Sequence, residues 1–283
     1  MTIFLALLCA CFWGFSEINL KQTINKYKTH TILFYSYLIQ TITYLLTIIV
    51  LDIDAFKRFD INIYKYLLPF FLMKILSTVI YNFCIRNGKI SIISPLLASD
   101  PIFSIIIGML LFKEEQSLTH IIAIIIVTIC IIILQFNKTD TKKKASKIAI
   151  FLASFYAIWV ALITTVEKAI YLGGYQLTDL YFHYLFLDII MILILIIINI
   201  IKDKKIKKPN YHLLKSLTEN HLGYFVYSYL LTFASMSLVV PLTSLYSVIT
   251  QVVAKIKLKE KLTIYERLIV SLIIISTFLL LIF

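Results

Sequence analysis

From residue 91 to residue 120 the sequence reads SIISPLLASDPIFSIIIGMLLFKEEQSLTH, a hydrophobic stretch with two prolines that ends in a charged corner. Residues 237–267 repeat this plan as SLVVPLTSLYSVITQVVAKIKLKEKLTIYER, and an apolar tail follows each copy. Pro95 and Pro241 lie 146 residues apart in the sequence, and the Lys-Glu pair at 113–114 recurs at 259–260 with the same offset. This pairing of rarer residues predicts an internal duplication.

The same offset of 146 residues pairs aromatic residues along most of the chain. Trp13 meets Trp159, and these are the only two tryptophans in the sequence. Tyr81 meets Tyr227 in the same way. The sequence therefore predicts two homologous units, which are residues 1–146 and residues 147–283.

The composition is typical of a protein that lies in a lipid bilayer. Of the 283 residues 60% are hydrophobic, and the mean hydropathy is +0.93, whereas soluble domains are about 45–50% apolar. Apolar runs of about 17–25 residues can cross a bilayer as helices. The sequence contains ten such runs, at 3–20, 31–51, 64–84, 91–112, 118–136, 147–168, 178–201, 216–234, 236–256 and 263–283. We therefore expect an all-α membrane protein with ten transmembrane helices.

Ten spans in two equal units have a geometric consequence. Because five is odd, the second unit enters the membrane from the opposite side, and the two five-helix repeats are predicted to be inverted. Such repeats place a substrate site near the middle of the membrane, at the interface between the units. The spans at 118–136 and 263–283 are apolar nearly all round, which is typical of a lipid-facing scaffold or of a homodimer surface.

The net charge of +12 is better explained by membrane topology than by nucleic-acid binding. The basic residues lie between apolar runs and form no continuous surface, so no nucleic-acid partner is expected. Alternate loops with their helix ends hold 21 of the 27 Lys and Arg residues, which places those loops in the cytoplasm and both termini outside. We expect a multi-pass protein of a bacterial inner membrane. The cysteines all lie in apolar spans and indicate no disulfide framework and no metal site, and no cofactor is expected.

Lys74 is the clearest ionisable residue inside a predicted span. A charge at the centre of a membrane helix costs about 2.5–3.5 kcal/mol on insertion scales, so such a residue usually faces a cavity or an oppositely charged partner. Ser77, Thr78 and Tyr81 follow Lys74 at helical spacing and form a polar stripe with it. The stripe indicates either a cavity wall or a structural ion pair within the bundle.

Two acidic residues are candidates for binding a cation or carrying a proton. Glu17 follows Trp13 by one helical turn, and its alternative role is an interfacial ion pair with a nearby lysine. Asp188 lies well inside its span and shares a helix face with Tyr184. A neutral Asp188 could serve in a proton cycle.

Further polar and aromatic residues extend this set of candidates. Tyr37 and Gln40 lie on one face of the second span. Asp100 precedes Pro101, where the backbone either opens toward a cavity or simply kinks. The two tryptophans would occupy matched positions about an approximate two-fold axis, where their rings either bind a cation or pack.

Three features carry a resemblance to a known family. The run Phe12-Trp13-Gly14 resembles the opening signature of the drug/metabolite transporter superfamily, EamA type. Pro95 and Pro241, each followed by its Lys-Glu corner, resemble the paired Pro…Gly-Glu-x-x-Thr corners of that family, although Lys113 and Lys259 stand where a glycine is common. The resemblance implies a permease of ten helices in two inverted repeats around a central cavity, which moves small metabolites. Several eukaryotic members keep both termini in the cytosol, opposite to the charge count here.

These observations predict a secondary active transporter for a small polar metabolite that works by alternating access, with proton coupling as an option. Lys74 would meet a carboxylate or phosphate, and an acidic residue would meet an amine, so an amino acid or other zwitterion fits best, a cationic amine second and an organic anion third. The alternatives are a membrane-embedded enzyme and a non-transporting assembly partner. The predicted substrate-binding residues are Trp13, Glu17, Tyr37, Gln40, Lys74, Tyr81, Trp159, Tyr184, Asp188 and Tyr227.

Overall fold

The computed structural model describes residues 1–113 and 144–259, together with a few single positions within 118–129 and 264–275. The predicted spans 118–136 and 263–283 lie largely outside the described residues. Glu114, Glu260 and Cys130 lie outside them as well.

The described part of the chain is helical and contains no strand. Short 3₁₀ turns cover Ile24–Lys26, Ile53–Lys57 and Ile61–Ile63, and a π-helical turn covers Ala254–Leu258. The α-helices, in chain order, are α1 (Thr2–Thr23), α2 (Thr29–Leu51), α3 (Tyr64–Asn87), α4 (Ile90–Leu97), α5 (Asp100–Phe112), α6 (Lys144–Leu172), α7 (Leu177–Asp203), α8 (Tyr211–Phe233), α9 (Met236–Ser244) and α10 (Tyr246–Val253).

Two of the predicted spans are broken into pairs of short helices. Residues 91–112 divide into α4 and α5, with the break at Ala98 and Ser99. Pro101 lies in the first turn of α5, where its missing N–H costs no hydrogen bond. Residues 236–256 divide in the same way into α9 and α10 at Leu245, which shows that a proline at the junction is not required.

Seven helical stretches of the described chain are long and apolar enough to cross a membrane. The helix α8 is not one of them, although its 23 residues extend about 34 Å, which is enough to cross the hydrocarbon core. It carries Lys215, Glu219 and His221 and packs chiefly against α1 and α2. A helix with polar side chains can lie within a membrane protein when the neighbouring helices cover those side chains.

The helix boundaries in the two halves repeat at the offset of 146 residues. α3 and α8 end at Asn87 and Phe233, and α4 and α9 begin at Ile90 and Met236. α5 and α10 begin at Asp100 and Tyr246. Lys113 and Lys259 both adopt the left-handed conformation, with φ of 55° and 52°. The duplication read from Pro95 and Pro241 therefore extends to the ends of the helices.

The helices of one half pack against those of the other in an exchanged pattern. α1 packs against α8, and its counterpart α6 packs against α3, while α2 packs against its own counterpart α7. Three contacts order the α2–α7 pair: Thr31 with Asn199, Gln40 with Asp188, and Thr178 with Asp52. Because the residue number rises along α2 as it falls along α7, these two equivalent helices are antiparallel.

A partly buried lysine caps the C-terminus of α3, and a buried lysine caps that of α8. Lys21 donates to the carbonyl oxygens of Ile85 and Gly88, each at 2.6 Å. Lys168 donates to those of Leu231 and Ala234, at 2.8 and 2.9 Å. The accepting carbonyls are again 146 residues apart. The predicted span ended at Lys168, whereas α6 continues to Leu172 and buries this side chain.

A polar network joins the loop between α2 and α3 to the start of α7. Arg58 donates through Nε to Asp179 at 2.6 Å and also pairs with Asp52. Tyr175 donates to Asp60 at 2.6 Å. The Arg58 guanidinium holds the pKa of Asp52 below its ordinary value, and the Tyr175 hydroxyl does the same for the pKa of Asp60.

Arg58→Gln is expected to lower the melting temperature of the detergent-solubilised protein slightly at pH 7, because Asp52 loses its cation. The pKa of Asp52 is lower in the folded state than in the unfolded chain, so the contribution is fully present above about pH 4 and is lost as the pH falls through the folded value. The difference from wild type should therefore shrink at about pH 3. Lys57→Gln, which removes the exposed pair with Asp54, is the control. An equal difference at both pH values would contradict this role of Arg58.

Candidate functional site

A cavity of about 190 Å³ lies between the two halves of the chain, and both halves contribute side chains to its wall. Seven of the ten predicted site residues lie on that wall: Trp13, Glu17, Tyr37, Gln40, Lys74, Tyr81 and Tyr227. Trp159, Tyr184 and Asp188 are not among the described residues of the wall.

The ammonium group of Lys74 is buried and has no hydrogen-bond acceptor among the described residues. It lies 3.8 Å from the centroid of the Tyr224 ring, 4.9 Å from that of Tyr184 and 5.4 Å from that of Phe70. Aromatic faces attract a cation but leave its three N–H donors unused. A carboxylate or phosphate oxygen of a bound molecule would supply the acceptor that the cage lacks.

Glu17 is 2% exposed and accepts hydrogen bonds from hydroxyl groups on three other helices. Thr250 of α10 donates at 2.9 Å, Tyr81 of α3 donates at 3.4 Å, and Ser94 of α4 also donates. These three partners are neutral hydroxyls, whereas the alternative reading of the sequence expected a lysine. The carboxylate therefore keeps its charge or proton available to a ligand in the cavity.

Trp13 is held in one orientation on the cavity wall. Its ring lies 5.2 Å from that of Tyr227 and 5.8 Å from that of Tyr246 in an edge-on arrangement. Its Nε1–H donates to the carbonyl of Asn220 at 3.3 Å. The indole fits because position 223 is glycine: a Cβ there would lie 2.6 Å from Trp13 Cδ1.

Asp188 lies behind the wall rather than on it. It is fully buried, and Gln40, which does line the cavity, donates through Nε2 to both carboxylate oxygens at 3.0 Å. Tyr184 also lies behind the wall, where it stacks near Tyr44 and forms one face of the cage around Lys74. Both side chains project from α7 toward α2, so they can act on a ligand through Gln40 and Lys74.

Trp159 lies away from the cavity and packs between α6 and α3. Its Nε1–H donates to the carbonyl of Met73 at 3.0 Å, and its ring stacks on Phe155. The two tryptophans therefore make similar contacts in the two halves, because each donates to a backbone carbonyl of α8 or α3 within one residue of the same repeat position, but of the two only Trp13 is among the described residues of the wall. The residue of the first half that is equivalent to Gly223 is Ser77. Ser77 has a side chain, whereas Gly223 leaves space for the indole of Trp13.

Glu167 is an ionisable residue of the wall that the sequence analysis did not name. It is 1% exposed and accepts from Tyr171 at 3.0 Å, from Ser228 at 2.6 Å and from Tyr224 at 2.7 Å. Glu167 lies next to the end of the predicted span at residue 168, where an acidic residue is not unusual. The acidic residue two positions after the polar pair Thr164 and Thr165 was the signal that was available.

Two further titratable wall residues complete the polar surface. Asp100, at the start of α5, accepts from Ser244 at 3.3 Å. His221 of α8 shares a hydrogen bond of 3.0 Å with Ser36 of α2. The opening of the backbone near Asp100 thus brings its carboxylate to the cavity, as one of the two readings of the Asp-Pro pair predicted.

The described residues contain no group of three or more His, Cys, Asp and Glu side chains that could hold a metal ion. The wall combines one ammonium group, that of Lys74, with three carboxyl groups, those of Glu17, Asp100 and Glu167. Apolar side chains such as Leu33, Phe71, Leu97, Val160 and Ile163 separate them. Such a wall suits a small molecule that carries both charges and an apolar body.

Comparison with known proteins gives two findings. The model of the EamA-like transporter family matches residues 1–136 and residues 147–282. A solved structure titled "Crystal structure of protein" has 8% sequence identity and a TM-score of 0.69, over 98% of this chain and 95% of that chain, which is a similarity of fold alone. No curated protein matches the sequence.

Proposed function

Since the chain belongs to the EamA-like transporter family, we propose that it is a secondary active transporter that moves a small zwitterion, best an amino acid, by alternating access. Membership of this family makes it a membrane-embedded multi-pass transporter rather than an enzyme. The substrate class, the mechanism and any coupling to protons are our proposal.

Residues 1–146 and 147–283 are proposed to form two inverted five-helix repeats. The repeat of helix boundaries at 146 residues supports this arrangement, and so does the antiparallel packing of the equivalent helices α2 and α7. The exchange of partners between α1–α8 and α6–α3 is what a two-fold axis in the membrane plane would produce. A substrate in the cavity would then meet both repeats at once, so rocking of one against the other would expose it to alternate sides.

The single observation that carries the substrate class is the buried Lys74 ammonium, for which the described part of the chain provides no hydrogen-bond acceptor. An unpaired buried donor is costly, and a substrate carboxylate would remove that cost. The three wall carboxyl groups favour an amine at the other end of the substrate. A zwitterion satisfies both requirements, whereas a cationic amine leaves Lys74 without its acceptor.

Glu17 is proposed to receive the amine or to carry a proton. Its hydroxyl partners come from α3, α4 and α10, so a change in the charge of Glu17 would alter the contacts between helices of both halves. Asp188 would act indirectly, by orienting Gln40. This arrangement offers a physical route by which proton binding and substrate binding could be coupled.

The location follows from the charge distribution. We propose a bacterial inner membrane with both termini outside, because the Lys-rich loops then lie in the cytoplasm. The homodimer surface remains a prediction for spans 118–136 and 263–283. Impermeant labelling of a cysteine added at the N-terminus, in intact cells, would test the orientation.

Purified protein in proteoliposomes is expected to catalyse counterflow of an amino acid. Vesicles are loaded with one unlabelled amino acid at a time, and uptake of the same labelled compound is compared with protein-free vesicles. The labelled compound should accumulate transiently and be recovered chemically unchanged. Recovery of a new product would support an enzyme, and the absence of counterflow across amino acids, amines and organic anions would support an assembly partner; either result would contradict the proposal.

A further inference from the structure

The ammonium group of Lys74 lies among aromatic rings, and the Lys74 side chain contributes to the cavity wall. Its nearest aromatic neighbour is Tyr224, whose ring centroid lies 3.8 Å from Nζ. The hydroxyl of the same tyrosine donates to Glu167 at 2.7 Å. Glu167 and Asp188 are the carboxylates whose charges act on Lys74. The cation therefore rests against a ring that is itself anchored to an acidic residue.

The carboxylate of Glu167 is held in place by three hydrogen bonds. Three hydroxyl groups, from Tyr171, Tyr224 and Ser228, donate to its two oxygens. Tyr171 belongs to the same helix as Glu167, whereas Tyr224 and Ser228 belong to α8, so the position of the charge is fixed from two helices.

We infer that Glu167 is a specificity-determining residue that holds Lys74 back and rejects ligands carrying only a negative charge. A monocarboxylate would have to draw the ammonium away from the field of Glu167 while being repelled by the same charge. A zwitterion differs because its own ammonium compensates a wall carboxyl group as its carboxylate reaches Lys74. The inference rests on the proposed function only in assigning the natural ligand, since the rejection of anions is a property of the cavity itself.

The probe that tests this role is 3-phenylpropanoate, which has one carboxylate, no amine and an apolar body for the apolar part of the wall. Binding is measured by calorimetry on the purified protein in detergent. Glu167→Gln should bind the probe at least tenfold more tightly than wild type, because the competing charge is gone. The gain should disappear in the double variant Glu167→Gln/Lys74→Met, because the probe then has no cation to meet.

A control variant separates the charge of Glu167 from other effects. Glu219→Gln removes an acidic residue of α8 that bonds Asn19 outside the cavity, and it should behave like wild type. If the glutamine variant does not fold, Glu167→Ala takes its place, since water can occupy the space between the hydroxyls.

Three results would overturn the inference: equal affinity of wild type and the folded Glu167 variant for the probe, a gain that survives loss of Lys74, or an equal gain in Glu219→Gln. These results are independent of counterflow. If no amino acid is transported but Glu167→Gln binds the probe more tightly than wild type and needs Lys74 to do so, the proposed substrate is wrong and the role of Glu167 stands. If amino acids are transported but Glu167→Gln binds the probe no more tightly than wild type, the proposed substrate stands and the role of Glu167 is wrong.

Discussion

Lys74→Met is expected to abolish amino-acid counterflow in proteoliposomes while leaving the thermal stability of the protein nearly unchanged. Losing one partner of a buried charge-assisted contact costs about 2–5 kcal/mol, so the substrate affinity should fall at least about thirtyfold. Stability should change little. The Lys74 ammonium has no hydrogen-bond acceptor among the described residues, so its removal relieves the cost of burying a charge and at the same time takes away the attraction between that charge and Glu167.

The matched control is Lys168→Met. Lys168 is also buried, and it directly follows the wall residue Glu167 in the sequence. Lys168 donates to the carbonyl oxygens of Leu231 and Ala234, so the substitution leaves two buried acceptors at the end of α8 without this donor. Its melting temperature should fall, because unpaired buried polar groups cost about 1–3 kcal/mol each. If Lys74→Met is as destabilised as Lys168→Met, then Lys74 is a structural cation and not a ligand-binding one.

The contrast between these lysines shows which part of the fold the sequence could predict. Pro95 and Pro241 are rare residues, and their offset predicted a duplication; the structure repeats helix boundaries at the same offset, and Lys113 and Lys259 share the left-handed conformation. The role of a single lysine depends on what lies beyond its own helix. The predicted span ended at Lys168, because the continuation of α6 to Leu172 could not be read from hydropathy alone.

The cavity could be predicted only in part for a related reason. A duplication predicts symmetric positions, but the charges of this chain are not symmetric: Lys74 is equivalent to Asn220, and Glu17 is equivalent to Ile163. Periodicity assigned Lys74 and Tyr81 to a polar face, and that face lines the cavity. Periodicity could not predict which other helix a polar face would contact.

Asp188 illustrates that limit. It shares a polar helix face with Tyr184, and the periodicity identified this face correctly. The face packs against α2, where Gln40 covers the carboxylate, so Asp188 lies one layer behind the wall. The rotation of α7 about its axis results from packing between distant parts of the chain, and a single sequence carries little information about it.

Gly223→Ala is expected to have the second large effect, a loss of stability together with a loss of counterflow. A Cβ at this position would lie 2.6 Å from Trp13 Cδ1 and 2.7 Å from Nε1, closer than real Cβ contacts allow. The indole cannot simply rotate, because it is packed between Tyr227 and Tyr246. Overpacking of this kind costs about 1–3 kcal/mol, which should be visible as a lower melting temperature in detergent.

The double variant Gly223→Ala/Trp13→Phe distinguishes a local clash from a general loss of helix packing. Phenylalanine lacks the five-membered ring whose Cδ1 and Nε1 meet the added methyl group, so the melting temperature of the double variant should recover most of the loss. Counterflow should recover less, because phenylalanine cannot donate to the carbonyl of Asn220 as Trp13 does at 3.3 Å. A Gly223→Ala protein as stable and as active as wild type would mean that Trp13 is free to move. In that case its place on the wall would be one of several positions, and the shape of the cavity would not depend on this glycine.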